Sequence, residues 1–270
     1  MGKHKDPLAG KIVVLTRAPE QSQELSEALQ ALGAEVQQLP MVSFVSPENS
    51  TDLDSALRRS GEFDWIIFTS QNAVRFSFRR ICELKERRSA QPARPRVAAV
   101  GAATAQAARN LDIRVDYVAL TQTGESLATE LRSELAGSTV LLPRSDRADD
   151  RLPAALRDAG ANVVEVVAYR TSTPESFDPV IIESVRRGAV DVIVFASPSA
   201  FENFRVAVAP AGCAELSNRV QFAAIGPTTA AAIRDSGARV AIEADESSTT
   251  GLGDAILNYY RNSPTTARHA

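Results

Sequence analysis

Two histidines, His4 and His269, stand in opposite tails of the chain. A Ser-His-Asp triad, a Cys-His pair and a histidine metal site each need an imidazole beside its partners, so all three are disfavoured. Cys82 and Cys213 are the two cysteines, and neither belongs to a CxxC pair. That usage points to reduced thiols in a cytoplasmic setting. Acid–base work is left to Asp, Glu, Tyr or water. Tyr169 draws attention within "VVAYRT", because the equivalent place 127 residues earlier holds Val42. Two readings of it stand side by side. A tyrosine on a strand packs; a phenol on a connector beside a cleft can also donate one hydrogen bond to a leaving oxygen. Tyr117, Tyr259 and Tyr260 have no such placement. Asp149 and Asp150, and the acidic residues of "EADE" (243–246), read as solvated charges.

A second set of residues suits an anion. "LTRAPEQS" (15–22), "TSQNAV" (69–74), "VGAATA" (100–105), "LPRSDRAD" (142–149), "ASPSAF" (196–201) and "IGPTTA" (225–230) share one plan. An apolar run ends, small or hydroxyl residues follow, and a helix begins. Ser70, Ser197, Thr104 and Thr229 are expected as helix N-caps, a role any α/β protein requires. They can equally present hydroxyls to a ligand, together with Asn72, Ser199 and Thr228. Gly101 and Gly226 allow close approach to the backbone. Arg17, Arg144 and Arg147 add guanidinium forks suited to carboxylates. Neither a GxGxxG fingerprint nor a GxxxxGK[ST] loop is present, which disfavours a nucleotide.

The elements that must position these residues come in two copies. "GKIVVLTR" (10–17) resembles "GSTVLLPR" (137–144), "ALGAEV" (31–36) resembles "DAGANV" (158–163), and "DWIIFTSQNAV" (64–74) resembles "DVIVFASPSAF" (191–201), each at an offset of 127. "VAAVGAATAQAA" (97–108) resembles "FAAIGPTTAAAI" (222–233) at an offset of 125. The charged, Pro-containing stretch 85–96 between them reads as a surface loop that absorbs the difference. Internal duplication follows. Strands are expected at 11–16, 64–69, 96–100 and 115–119, and again at 139–142, 191–195, 220–225 and 239–243. Runs such as "WIIF" and "VIVF" are apolar throughout, which suits parallel strands buried on both faces. Helices alternate with them, as at 20–32, where Leu25, Leu29 and Leu32 share a face. The class is α/β, with two similar parallel-sheet domains covered by helices on both sides. Segments 35–45 and 162–171 are longer and less regular. They read as extended connectors, and Pro40 makes the first a poor central strand.

The 270 residues suit two domains of ordinary size. The net charge of −3 and the lack of a basic block speak against a nucleic-acid surface. No apolar run approaches the ~20 residues of a membrane span. The first ten residues carry no apolar run, so a secretory signal is not expected. The expected location is cytoplasmic.

"IVVLTR", "DWIIFTSQNAV", "AAVGAATA", "VVAYRT", "DVIVFASPSAF" and "AAIGPTTA", in this order, resemble the uroporphyrinogen-III synthase family from about residue 10 to 260. The resemblance implies two three-layer domains joined by a two-stranded connector. One would be 1–37 plus 170–270, the other 43–164, with 38–42 and 165–169 as connector strands. It implies an active site between the domains and, as substrate, hydroxymethylbilane, a linear tetrapyrrole bearing acetate and propionate arms. The product would be uroporphyrinogen III, closed with loss of water and inversion of the last ring. Tyr169 falls on the family's YxT tyrosine, the usual candidate for assisting hydroxyl departure. Thr104, Thr228 and Thr229, with Ser70 and Ser197, fall on the family's hydroxyl positions. No metal or cofactor is implied, and the expected form is a monomer with the preceding enzyme of the pathway as its expected protein partner. The rival reading is a non-catalytic, two-lobed intracellular binding or sensor module for an anionic small molecule.

Overall fold

The computed structural model describes residues 6–84, 94–208 and 212–262. His4, His269 and most of the 85–96 loop lie outside the described residues. In chain order the first elements are β1 (Ile12–Leu15), α1 (Pro19–Ala31), β2 (Glu35–Gln38), β3 (Ser43–Val45), α2 (Thr51–Arg58), β4 (Trp65–Phe68) and α3 (Gln71–Glu83). Then come β5 (Arg96–Ala99), α4 (Ala102–Arg109), β6 (Tyr117–Val118), α5 (Gly124–Glu130), α6 (Arg132–Leu135), β7 (Thr139–Ser145), α7 (Arg151–Asp158) and β8 (Asn162–Ser172). The chain continues with α8 (Pro179–Arg186), β9 (Val192–Phe195), α9 (Pro198–Val208), α10 (Cys213–Leu216), β10 (Gln221–Ala224), α11 (Pro227–Asp235), β11 (Ile242–Glu243) and α12 (Thr249–Asn262).

These elements form two compact units, Met1–Ser43 with Thr173–Ala270, and Phe44–Ser172. The first contains a five-stranded sheet in the order β11-β10-β9-β1-β2. Its neighbouring strands all pair in parallel. Alternate residues of each strand enter opposite cores, which is why the strands are apolar throughout. Val14, Ile193, Phe195 and Phe222 face one side; Val13, Leu15, Val192 and Ala223 face the other. Phe195 is fully buried, with edge-on contacts to Phe204 at 5.1 Å and to Phe201 and Phe222 at 5.3 Å. Truncating such a phenylalanine to Ala costs about 3–5 kcal/mol.

The second unit contains a six-stranded sheet in the order β3-β8-β7-β4-β5-β6. Trp65 and Ile67 face one core of this unit, and Ile66 and Phe68 the other. The strand sets correspond. β4 and β9 differ by 127 in numbering, while β5 and β10, and β6 and β11, differ by 125. Read from β11 and from β6, both sheets follow the same order of corresponding strands, with β3 added to the second. The first unit holds β1-α1-β2 with β9, β10 and β11, and the second holds β7-α7-β8 with β4, β5 and β6.

Segments 35–45 and 162–171, read as extended connectors, contain β3 and all of β8 but Ser172, and these two strands are hydrogen-bonded neighbours in the second sheet. Residues 165–169, read as a connector strand, lie inside β8 and pair with β7 up to Tyr169. Of 38–42, only Gln38 lies in a strand. The cause is that β7 stays extended through Ser145 and keeps offering β8 a ladder. β7 pairs with β4 only at Val140 and Leu141. Pro143, which has no N–H, therefore sits where that side of β7 has left the sheet.

Candidate functional site

In parallel sheets the ligand-accessible end is the carboxyl end of the strands. In the second unit this end carries Ser70 after β4, Gly101 after β5, and Arg144 with Ser145 closing β7. Ser70 is the N-cap of α3, its Oγ accepting the Ala73 N–H at 3.1 Å. The same Oγ lies 3.1 Å from the Tyr169 hydroxyl. Tyr169 is 7% exposed. Phe76 stacks on its ring and Phe44 meets the ring edge-on, both with centroids at 5.7 Å.

A register jump sets this orientation. Arg144 pairs with Val167, but Ser145 pairs with Tyr169, leaving Ala168 as the extra residue. Strict alternation would send Tyr169 to the face of Val167, which is 40% exposed. An extra residue in one strand re-aims the next side chain, and Ala168 and Tyr169 are both buried in one core. The turn after β7 holds the new register. Asp146 N donates to Tyr169 O at 3.2 Å, and Thr171 N donates to Asp146 Oδ1 at 3.0 Å.

Arg144 and Arg147 line a cleft of about 290 Å³, with Thr69, Val100, Gly124 and Arg151. Arg144 is buried and already engaged: it forms an ion pair with Glu165 and donates to the Asp149 carbonyl. Burial pushes the Glu165 carboxyl upward. Hydrogen bonds from Arg157 at 2.6 Å and from Arg144 outweigh burial and hold it below the ordinary range. Arg144 therefore organises the end of β7. Arg147 is exposed, and its backbone N–H donates to Ser145 Oγ at 3.2 Å.

In the first unit, Arg17 follows β1 and is half-buried. Its Nε donates to Gln21 Oε1 at 3.1 Å, and no acid among the described residues pairs with it. Burial lowers its pKa from the ordinary guanidinium value. Ser197 Oγ takes the Ala200 N–H at 3.1 Å at the start of α9 and lies 3.1 Å from Ser199 Oγ.

The two glycine turns correct the capping expectation. The N-caps of α4 and α11 are Gly101 and Gly226, neither with a side-chain cap bond. Thr104 and Thr229 sit inside the first turns and are buried; Thr228 is exposed. Thr104 and Thr229 are third in their helices because the extended backbone at each glycine starts the helix two residues earlier. Asn72 is buried in the first turn of α3. Two neighbours of these turns had no sequence signal of their own. Gln122 faces Gly101 and Ser247 faces Gly226, and they share the 125 offset of their strands. Thr123 and Ser248 follow them at the same offset and take first-turn N–H groups of α5 and α12. Among the described residues, no group of three or more His, Cys, Asp or Glu side chains is placed to hold a metal ion.

The family model described as "Uroporphyrinogen-III synthase HemD" matches residues 23–253. The chain belongs to the uroporphyrinogen-III synthase family. The uroporphyrinogen-III synthase of Synechococcus elongatus is 31% identical over 261 residues, covering 95% of this chain and 98% of the relative. That of Chlorobaculum parvum is 28% identical over 236 residues, covering 86% and 92%. Two solved family structures share the fold. The Helicobacter pylori enzyme gives a TM-score of 0.59 at 17% identity, covering 92% of this chain and 99% of its own. A mutant Thermus thermophilus enzyme gives 0.54 at 21% identity, covering 93% and 98%. No helix among the described residues is long and apolar enough to cross a membrane.

Proposed function

We propose that the chain cyclises hydroxymethylbilane to uroporphyrinogen III, with loss of water and inversion of the last pyrrole ring. Family membership supports this reading. The observation that carries it is the Tyr169 phenol, buried among aromatic rings at a strand end yet bonded to a second hydroxyl. Pyrrole rings are electron-rich enough to drive each carbon–carbon step once the terminal hydroxyl leaves. The protein need only hold the chain, bind its carboxylates and assist water loss. Such positioning supplies about 7–11 kcal/mol in well-oriented systems. It suits a chain without a histidine outside the tails.

In this proposal Tyr169 donates to the departing hydroxyl. Arg17, a half-buried cation with no acid partner among the described residues, receives a carboxylate arm. Arg147 and the hydroxyls of Ser197, Ser199, Thr228 and Thr229 offer further donors. So do the glycine-capped starts of α4 and α11, whose first-turn N–H groups favour anions. Arg144 acts through the cleft it shapes, its charge being met by Glu165. We also infer that the fold arose by duplication with exchange of the opening β-α-β segments. The shared strand order and the constant offsets support this. A monomer in the cytoplasm, using no cofactor, completes the proposal.

The test is a coupled assay that supplies hydroxymethylbilane and separates the type I and type III products. Formation of the type III isomer above the uncatalysed background is expected. Type I product alone, at the background rate, would sink the proposal and leave the non-catalytic binding module.

A further inference from the structure

We propose that Ser70 is a positioning residue for the Tyr169 phenol, linking it to the N-terminus of α3. This rests on the donor role of Tyr169 given above. The argument is a count of protons and lone pairs. A serine hydroxyl has one proton and two acceptor sites, and a phenol has one proton of its own. Ser70 Oγ spends one acceptor site on the Ala73 N–H. Its remaining site and its proton are shared with the Tyr169 oxygen 3.1 Å away. Two arrangements exist. If Tyr169 donates to Ser70, the phenolic proton is consumed and the serine proton is free. If Ser70 donates to Tyr169, the phenolic proton is free for a ligand.

Only the second arrangement makes the phenol a useful acid. As the carbon–oxygen bond of the terminal hydroxymethyl group opens, the phenolic O–H bond breaks and the new O–H bond completes a water. The phenolate left behind then accepts the Ser70 hydrogen bond. Ser70 is itself oriented by the start of α3, where the helix dipole favours negative charge. The phenolate recovers the proton that the closing pyrrole carbon gives up, so no external acid is consumed. Packing holds the pair in register. Phe76 and Phe44 fix the ring, and Asp146 fixes the backbone at Tyr169.

The cap role and the donor role of Ser70 separate by substitution. Ser70→Asp keeps an acceptor for the Ala73 N–H but has no proton to give, and it draws the phenolic proton to itself. Ser70→Thr keeps both functions. The expected result with hydroxymethylbilane is a fall in kcat of about tenfold or more for Ser70→Ala and for Ser70→Asp, with KM moving little. Ser70→Thr restores most of the rate. Melting temperature distinguishes the roles, with Ser70→Asp close to wild type. In a Tyr169→Phe background, Ser70→Ala causes no further loss, because the two side chains act as a unit. If Ser70→Asp turns over like wild type, or if the losses of Ser70→Ala and Tyr169→Phe multiply, the positioning role is overturned. A wild-type rate for Tyr169→Phe instead overturns the donor role beneath it, so the two failures are distinguishable.

Discussion

Ser247 stands so close over Gly226 that a β-carbon on residue 226 would overlap its hydroxyl and lie 3.2 Å from its Cβ. At Gly101, the corresponding turn of the other unit, a β-carbon would first meet Gln122 Oε1 at 3.2 Å, the far end of a flexible side chain. Gly226→Ala is therefore expected to destabilise by about 1–3 kcal/mol through overpacking. Gly101→Ala stays within about 0.5 kcal/mol of wild type, because its backbone suits any residue and its neighbour can move. Urea melts check both. Adding Ser247→Gly to Gly226→Ala should recover most of the loss, and no recovery would refute the overlap.

Tyr169→Phe removes one hydroxyl and keeps the ring between Phe44 and Phe76. Turnover of hydroxymethylbilane is expected to fall about 10²- to 10⁴-fold if the phenol assists water loss. The folded protein loses only one neutral hydrogen bond, about 0.5–1.5 kcal/mol. Parallel rate and melting measurements read the two effects apart.

Glu165 neutralises a buried guanidinium, so Glu165→Gln leaves Arg144 with a carbonyl and the more distant Asp150 at 3.6 Å. Removing one partner of a fully buried pair costs about 3–5 kcal/mol. Glu165 is part-exposed, and solvent screening reduces the expectation to about 1–2 kcal/mol. The pH dependence has a definite sign. Because the folded carboxyl is held low, its stabilising contribution is complete above the unfolded glutamate value of about 4.3. It disappears as pH falls through the lower folded value. The gap between wild type and Glu165→Gln should be constant near neutrality and close in acid. A gap that widens in acid would contradict the assignment.

Cys213 is 5% exposed, and burial pushes its thiol up to about 11. Cys82 is exposed. A thiol reagent at pH 7–8 should titrate one cysteine in the native protein and both after denaturation, since only the thiolate reacts. Modification of both at equal rates would show that the core around Cys213 opens readily.

Part of this protein was legible as text. The apolar runs at 65–68 and 192–195 become β4 and β9, and the offsets of 127 and 125 recur in helices and caps as well as strands. Other features had no local signal. Thr104 and Thr229 look like caps, but the glycines before them start the helices. Arg144 looks like a free cation, yet Glu165, 21 residues later, meets its charge.

Sequence alone determined the class, the recurring offsets and the chemistry available. Those depend on composition and on periodicity within short windows, which local backbone preferences read directly. Tertiary structure decided which groups meet. Ser70 and Tyr169 are 99 residues apart, and their hydroxyls share a bond because one extra residue, Ala168, turns the tyrosine inward. A bulge arises from the pairing of two strands, β7 and β8, and neither strand's own sequence specifies where their ladder slips.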